Sequence, residues 1–232
     1  MGILGFHNLN KNKSHNTIQE EELHFQDLML LRVHEILLVA SSYDSFILEE
    51  EGQLTEQILQ EYIGMSLNYA PRVSRSSTAK SAFNKLIKRS FDMVIIMLRI
   101  SDMDPIQFAE KIRKKYPKTP VFLLAFDESE IKQLPVYIDK IIDKIFLWTG
   151  DASVFPAIIK YYEDKKNIAR DIAIGNVRTI ILIEDTARYY SKLLPLLYKE
   201  IIFHTKKLMD KSLNDTQRLL HMRARPKILH AV

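Results

Sequence analysis

The side chains whose type and spacing point to a chemistry in this sequence are carboxylates. Asp44, Asp102 and Asp104 fall in polar turns after apolar runs, and Glu184 and Asp185 stand side by side after "IILI". Oxygen ligands of this kind seat a hard divalent cation such as Mg²⁺, which demands near-octahedral geometry. An aspartate beside such a cation can take up a phosphoryl group, provided positive charge meets the charge that develops. Other chemistries have little to stand on. The chain has no cysteine, which excludes a disulfide framework, a zinc-thiolate site and a cysteine nucleophile and fits a reducing compartment. Its seven histidines, at 7, 15, 24, 34, 204, 221 and 230, share no metal-ligand spacing. Its six glycines form no phosphate-cradling loop.

Elements must position those acids. Residues 1–18 are polar and without periodicity, which predicts a disordered lead-in. Leu23, Leu28, Leu30 and Leu31 predict a helix over 19–33. "EILLVA" (35–40), "MVIIML" (93–98), "PVFLLAF" (120–126) and "KIFLW" (144–148) are short apolar runs, as in strands buried on both faces of a parallel sheet. "LNYAPRVS" (67–74) reads as an edge strand, because Pro71 cannot donate to a ladder. Helices are predicted at 54–64, with Leu54, Ile58, Leu59, Tyr62 and Ile63 on one stripe, and at 77–90, with Ala82, Phe83, Leu86 and Ile87 inward. A third helix starts at "DPIQ", with Asp104 as N-cap and Pro105 at N1. A weak helix interrupted by Pro135 and a longer one capped by Asp151 complete the series. Strands alternating with helices imply a doubly wound, five-stranded parallel sheet of the flavodoxin type over 19–170.

The pattern then restarts. "VRTIILIEDTARYYSKLL" (177–194) repeats the layout of "VHEILLVASSYDSFIL" (33–48), a long helix follows, and "RPKILHAV" is its next strand. Residues 171–232 therefore read as a partial second unit: strand, long helix, strand. Sheet edges and the apolar stripe Leu193, Leu194, Leu197, Ile201 and Ile202 need cover, which predicts a homodimer, with segments exchanged between chains or not.

Sites in an open parallel sheet form at the C-terminal ends of the strands. Ala40 and Ser41 close the first strand, Met97 the third, Ala125 the fourth and Trp148 the fifth. The strand–helix order and the turn "MLRISDMDP" resemble the receiver domain of bacterial response regulators, the CheY-like superfamily. That resemblance implies an acid pair for Mg²⁺ at Ala40 and Ser41, a phosphate-accepting aspartate at Met97, a hydroxyl at Ala125 and a lysine at Trp148. All five positions depart from the working pattern, so the resemblance implies a degenerate site without cofactor or metal. A rescued cation site would draw on Asp44, Asp102 and Asp104, although Asp104 already has a capping role. In the second unit Glu184 and Asp185 match the working acid pair. They could hold a metal only in a complete second receiver; otherwise Asp185 is expected to cap the next helix.

A closer resemblance lies in the wording of "ILLVASSYDSFILEEEGQLTEQI", "YAPRV", "MLRISDMDP", "GNVRTIILIEDTARYYS" and "MRARPKIL". Together they are similar to the N-terminal region of bacterial phosphoenolpyruvate-synthase-like, or pyruvate/phosphoenolpyruvate-binding, proteins. The intact fold pattern around an emptied site points to a non-enzymatic regulatory module within such a protein, a pseudo-receiver acting through protein contacts without aspartate phosphorylation. A phosphotransferase-type domain would lie downstream in a longer polypeptide. The alternative is a phosphorelay receiver using a displaced acid or the second acidic site.

The totals fit these expectations. The chain has 232 residues, 47% hydrophobic and 27% charged, and a net charge of +4. Arg218, Arg223, Arg225 and Lys227 cluster without an acid in "RLLHMRARPKILH". They read as a solvated helix end rather than a nucleic-acid surface, since no recognition motif accompanies them. No apolar run reaches the roughly 18 residues of a membrane span. No secretory signal opens the sequence, and Phe6 spoils a myristoylation motif. A cytoplasmic protein whose partners are proteins or neighbouring domains is the expectation.

Overall fold

The computed structural model describes residues 27–50, 54–64, 70–148, 150–209 and 214–231. The lead-in over 1–18, the first part of the helix expected over 19–33 and the start of the strand expected at 67 lie outside them.

Five parallel strands form the main sheet in the order β2-β1-β3-β4-β5. They are β1 (Glu35–Val39), β2 (Arg72–Ser76), β3 (Met93–Met97), β4 (Val121–Ala125) and β5 (Lys144–Leu147). Side chains alternate between faces along each strand, so each apolar run feeds two cores. Ile36, Leu38, Met93, Ile95, Met97, Phe122, Leu124 and Phe146 face one side. Leu37, Val39, Val94, Ile96, Val121 and Leu123 face the other. β2 is an edge strand, as Pro71 predicts, but it begins after the proline.

The helices between strands are α1 (Ser42–Glu50), α2 (Leu54–Gly64), α3 (Ala79–Lys88), α4 (Pro105–Lys115) and α5 (Glu128–Lys132). Their stripes are narrower than the sequence predicts. In α2 Ile58 and Tyr62 are buried while Leu59 and Ile63 are exposed, and in α3 Ile87 is exposed. After β5 comes α6 (Val154–Gly175). Its N-cap is Ser153, and Asp151 accepts from the Ser153 N–H instead of capping the helix. It ends on Asn176 in the left-handed region (φ 48°), a conformation asparagine tolerates.

Residues 27–34 correct the expected first helix. They run as a strap along α6. The Met29 N–H donates to Asp171 Oδ1 (3.0 Å), Leu31 N–H to Asn167 Oδ1 (2.9 Å) and Val33 N–H to Glu163 Oε1 (3.0 Å). The match is metric. Two residues of extended chain advance about 6.6 Å, and four residues of helix about 6 Å. Every second N–H of the strap therefore meets every fourth residue of α6, in antiparallel order. Helix propensity over a short stretch yields to these long-range bonds. Leu28 is buried against Gly175, where a Cβ would stand 2.9 Å from a Leu28 methyl.

A second sheet pairs β6 (Thr179–Ile183) and β7 (Lys227–Ala231) in parallel, as expected of the restarted pattern. Between them lie α7 (Ala187–Leu208) and α8 (Asp215–Arg223). Tyr190, Leu194, Tyr198 and Ile202 form an i, i+4 stripe on α7 that joins the first core, together with Met222 and Ile228. Of the stripe expected to need a partner, Leu194 and Ile202 are buried, Leu197 and Ile201 are half-buried, and Leu193 is exposed. α7 also covers the open edge of β5. Ser191 Oγ accepts from the Leu147 N–H (2.9 Å), and Tyr190 OH donates to the Ile145 carbonyl. That protects a sheet edge that would otherwise invite another strand.

Candidate functional site

Parallel register brings the strand ends to one rim. Met97 lies beside Leu124, and Ala125 beside Leu147. Ala40 follows β1, Met97 closes β3, Ala125 closes β4 and Trp148 follows β5, and all four are buried. Ala40, Met97 and Trp148 belong to one apolar cluster, and the Trp148 ring meets Phe155 edge-on at 5.7 Å. The Trp148 N–H donates to the Ala125 carbonyl (2.7 Å). Ser41 is partly exposed, and its Oγ accepts from the Asp44 N–H (3.0 Å). The five residues singled out at the strand ends thus occupy one rim, and none presents a carboxylate there.

Two of the three nearby acids serve helix starts. Asp102 accepts from the Ala79 N–H (2.7 Å) and the Lys80 N–H (3.1 Å) at the start of α3. Burial alone would raise its carboxyl, but the amides of Lys80 and Ala79 outweigh that and hold it below the usual carboxylate range. Asp104 Oδ1 accepts from the Ile106 and Gln107 N–H groups, both at 3.0 Å, as its N-cap role predicts. Asp44 differs. It has no exposed surface, and both carboxylate oxygens lack a hydrogen-bond partner. The guanidinium of Arg99 feels its charge, but Arg99 is paired with Glu130 at 2.8 Å and lies over the Phe126 ring.

The second acidic pair turns to its own helix. Glu184 Oε1 accepts from the Thr186 N–H (2.9 Å), and Asp185 Oδ1 accepts from Thr186 Oγ1 (3.0 Å). The N-cap of α7 is Thr186, so the role expected of Asp185 passes to its neighbour. Among the described residues no group of three or more histidines and acids is placed to hold a metal ion.

The largest constellation is one that sequence reasoning missed. Arg225 and Lys227 are not part of a solvated helix end; both are buried. Arg225 grips Asp164 of α6 with Nη2–Oδ1 at 2.8 Å and Nη1–Oδ2 at 3.1 Å, and the Ile228 N–H donates to the same carboxylate (3.0 Å). Lys227 Nζ donates to the Arg223 carbonyl and lies 3.2 Å from Asp171 Oδ2. Lys160 pairs with Glu163 at 2.6 Å. Burial alone would weaken the Arg225 cation, but the charge and hydrogen bonds of Asp164 more than reverse this. Burial, then the neighbouring Arg225, lowers Lys227 to about 8 despite Asp164 and Asp171. A smaller link joins the two sheets. Lys144 Nζ of β5 lies 2.8 Å from His230 Nδ1 of β7, and His230 Nε2 lies 2.7 Å from the Glu184 carbonyl. The carbonyl takes an N–H, so Nδ1 is the free acceptor for the lysine. Tyr190 closes over the ammonium at 4.1 Å, and burial lowers Lys144 to about 8.

The strand order 2-1-3-4-5 with helices on both faces is the flavodoxin-like, doubly wound arrangement that CheY-like receivers share. No protein-family model matches the chain, and no curated protein is similar to it. Solved structures do resemble it. A signal receiver domain of an HD-domain-containing protein from Pseudomonas fluorescens is 20% identical over 61% of this chain and 95% of its own, with a TM-score of 0.42. A CheY-like receiver domain from Methanospirillum hungatei is 16% identical over 59% of this chain and 98% of its own, with a TM-score of 0.45. A receiver domain protein from Clostridium thermocellum is 16% identical over 59% and 99%, with a TM-score of 0.46.

Proposed function

We propose that the chain is a receiver-type signalling module that has given up aspartate phosphorylation and acts through protein contacts alone. One observation carries this reading: the rim where a receiver would hold Mg²⁺ and phosphate is built from Ala40, Ser41, Met97, Ala125 and Trp148, four of them buried. A thioether forms no acyl phosphate, and an alanine–serine pair offers magnesium no carboxylate. The module has no enzymatic activity of its own in this reading. Its place is the cytoplasm, ahead of the phosphotransferase-type region of a phosphoenolpyruvate-synthase-like protein, as the motif resemblance suggests. Its partners are proteins, a second copy among them, rather than nucleic acid. Two of the four cations in 218–227 are committed to buried acids, which leaves little of a basic patch. The test treats the full chain with acetyl phosphate and Mg²⁺ and weighs it by intact mass spectrometry. No added phosphoryl group is expected; a stable acyl phosphate on the five-stranded domain overturns the proposal.

A specific observation favours one alternative, a phosphorelay receiver using a displaced acid. Asp44 is a buried carboxylate with both oxygens unpartnered, near the same rim. Titrating Mg²⁺ against the fluorescence of Trp148, the single tryptophan, tests it. A quench that disappears in Asp44→Ala supports this alternative, and a flat titration removes it.

A further inference from the structure

We infer that the outer surface of α3 and α4 is a docking face for an acidic protein segment that carries a large apolar side chain among its carboxylates. This rests on the reading above that the chain acts through protein contacts, and it names the surface and the partner's chemistry.

The inference starts from where the charge sits. Residues 79–90 and 105–118, which hold α3, α4 and the turns that follow them, carry nine lysines and arginines against one acid, Glu110. Nine against one leaves +8 on these two segments, in a chain whose total is +4. The helices lie side by side, with the Phe83 and Phe108 rings edge-on at 5.0 Å. Both pack on the core that Leu37, Val39 and Val94 face, across the sheet from α7 and β7, which join the other core. Helix ends account for little of this charge. Each C-terminus carries about half a negative unit, so the two together call for about one cation. Arg113 is committed to Asp143 at 2.6 Å, Arg89 lies 3.5 Å from Glu35, and Lys85 donates to the Arg75 carbonyl. Lys88, Lys114, Lys115 and Lys118 are exposed, and among the described residues no carboxylate pairs with them.

The occupant follows from what lies between those lysines. Both helices run back against the parallel strands, so they end at the same edge of the sheet. A groove of about 370 Å³ opens there between the last turn of α3 and the turn after α4. Leu86, Ile87, Phe91 and Tyr116 give it apolar walls. Leu86 and Phe91 are buried, while Ile87 is 64% exposed. An incoming apolar side chain covers Ile87, and carboxylates on either side of it meet the lysines. Nucleic acid fits less well. A base needs a bare ring to stack on, but Arg89 already lies over Phe91 at 4.6 Å and Lys115 over Tyr116 at 5.5 Å. A second copy presenting the same face sets like charge against like.

The test uses the full chain and a short fluorescent peptide of aspartates and glutamates around a central Leu-Phe pair, read by anisotropy. Saturable binding that weakens with added salt is expected. Lys88→Glu/Lys115→Glu is expected to raise the dissociation constant about tenfold. Lys192→Glu/Lys199→Glu makes the same charge change on exposed lysines of α7, and is expected to leave it within about twofold. Ile87→Ser is expected to weaken the Leu-Phe peptide roughly threefold and to leave a Ser-Ser control peptide unmoved. Absence of saturable binding overturns the inference. So does a Ser-Ser peptide that binds wild type as tightly, or an equal loss in the two double variants. A single-stranded oligonucleotide held more tightly through the same lysines also overturns it. The phosphodonor experiment is independent: phosphate uptake removes the earlier reading without moving these affinities, and a flat anisotropy titration removes this face without adding a phosphate.

Discussion

Arg225 and Asp164 form a two-pronged ion pair, 2.8 and 3.1 Å, with side chains only 1% and 0% exposed. It fastens the chain just before β7 to the middle of α6, and so fastens the second sheet to the first domain. Removing one partner strands a buried charge, which is the costly way to break such a pair. Arg225→Ala is expected to lose about 3–5 kcal/mol of stability. The double variant Arg225→Met/Asp164→Leu is expected to lose far less, since it leaves no charge behind. Urea unfolding of the three proteins at neutral pH checks this. An equal loss in the single and double variants would contradict it.

The buried lysines set a pH dependence. Lys227 and Lys144 both stand at about 8 in the folded chain, against an ordinary 10.5. Between those values the unfolded chain binds more protons than the folded one, so stability rises with pH across that window. Below it both states are protonated and the penalty is constant. The tyrosines act in the opposite sense. Burial raises Tyr161 to about 12 and lifts Tyr62, Tyr190 and Tyr198 as well. Above about pH 10 the unfolded chain loses these protons first, and stability falls. Urea midpoints are therefore expected to peak between about pH 9 and 10, and Lys227→Met is expected to flatten the rise.

Much of the main sheet was legible in the sequence. "MVIIML" and "PVFLLAF" are apolar at every position because both faces of β3 and β4 are covered, and no other local structure suits so short a run. The Asp104–Pro105 start was legible because capping is a local interaction. The strap at 27–34 was not, since its bonds go to residues more than 125 positions away. Nor was the fate of "RARPK". A cationic run without acids looks solvated until the fold sets Asp164 and Asp171 against it. A signal did exist: Asp164, Asn167 and Asp171 recur on one side of α6, at spacings of three and four. The rim residues were legible as strand ends, but the isolation of Asp44 was not, because burial is a tertiary property.

Asp44 makes a stability prediction. A buried carboxylate without hydrogen bonds opposes folding. Asp44→Asn keeps the shape and removes the charge, and is expected to raise stability by about 1 kcal/mol or more. The urea midpoint in metal-free buffer measures it. Adding Mg²⁺ to wild type is expected to leave its midpoint unchanged. A midpoint that climbs with Mg²⁺ in wild type and not in Asp44→Asn would speak for a cation at Asp44.

Met97 offers the most direct chemical test of the rim. It closes β3 wholly buried, in the same apolar cluster as Trp148 and Ala40. An aspartate placed there would have an acceptor's oxygen but no acidic neighbour at Ala40 or Ser41 to share a magnesium ion, and no lysine at Trp148. Met97→Asp is therefore expected to remain unphosphorylated by acetyl phosphate, and to lose about 3–5 kcal/mol of stability from the emptied volume and the buried polar group. Intact mass and urea unfolding read the two effects separately. Uptake of phosphate by this single variant would mean that the rim already supplies the cation site, and would return the chain to the working receivers.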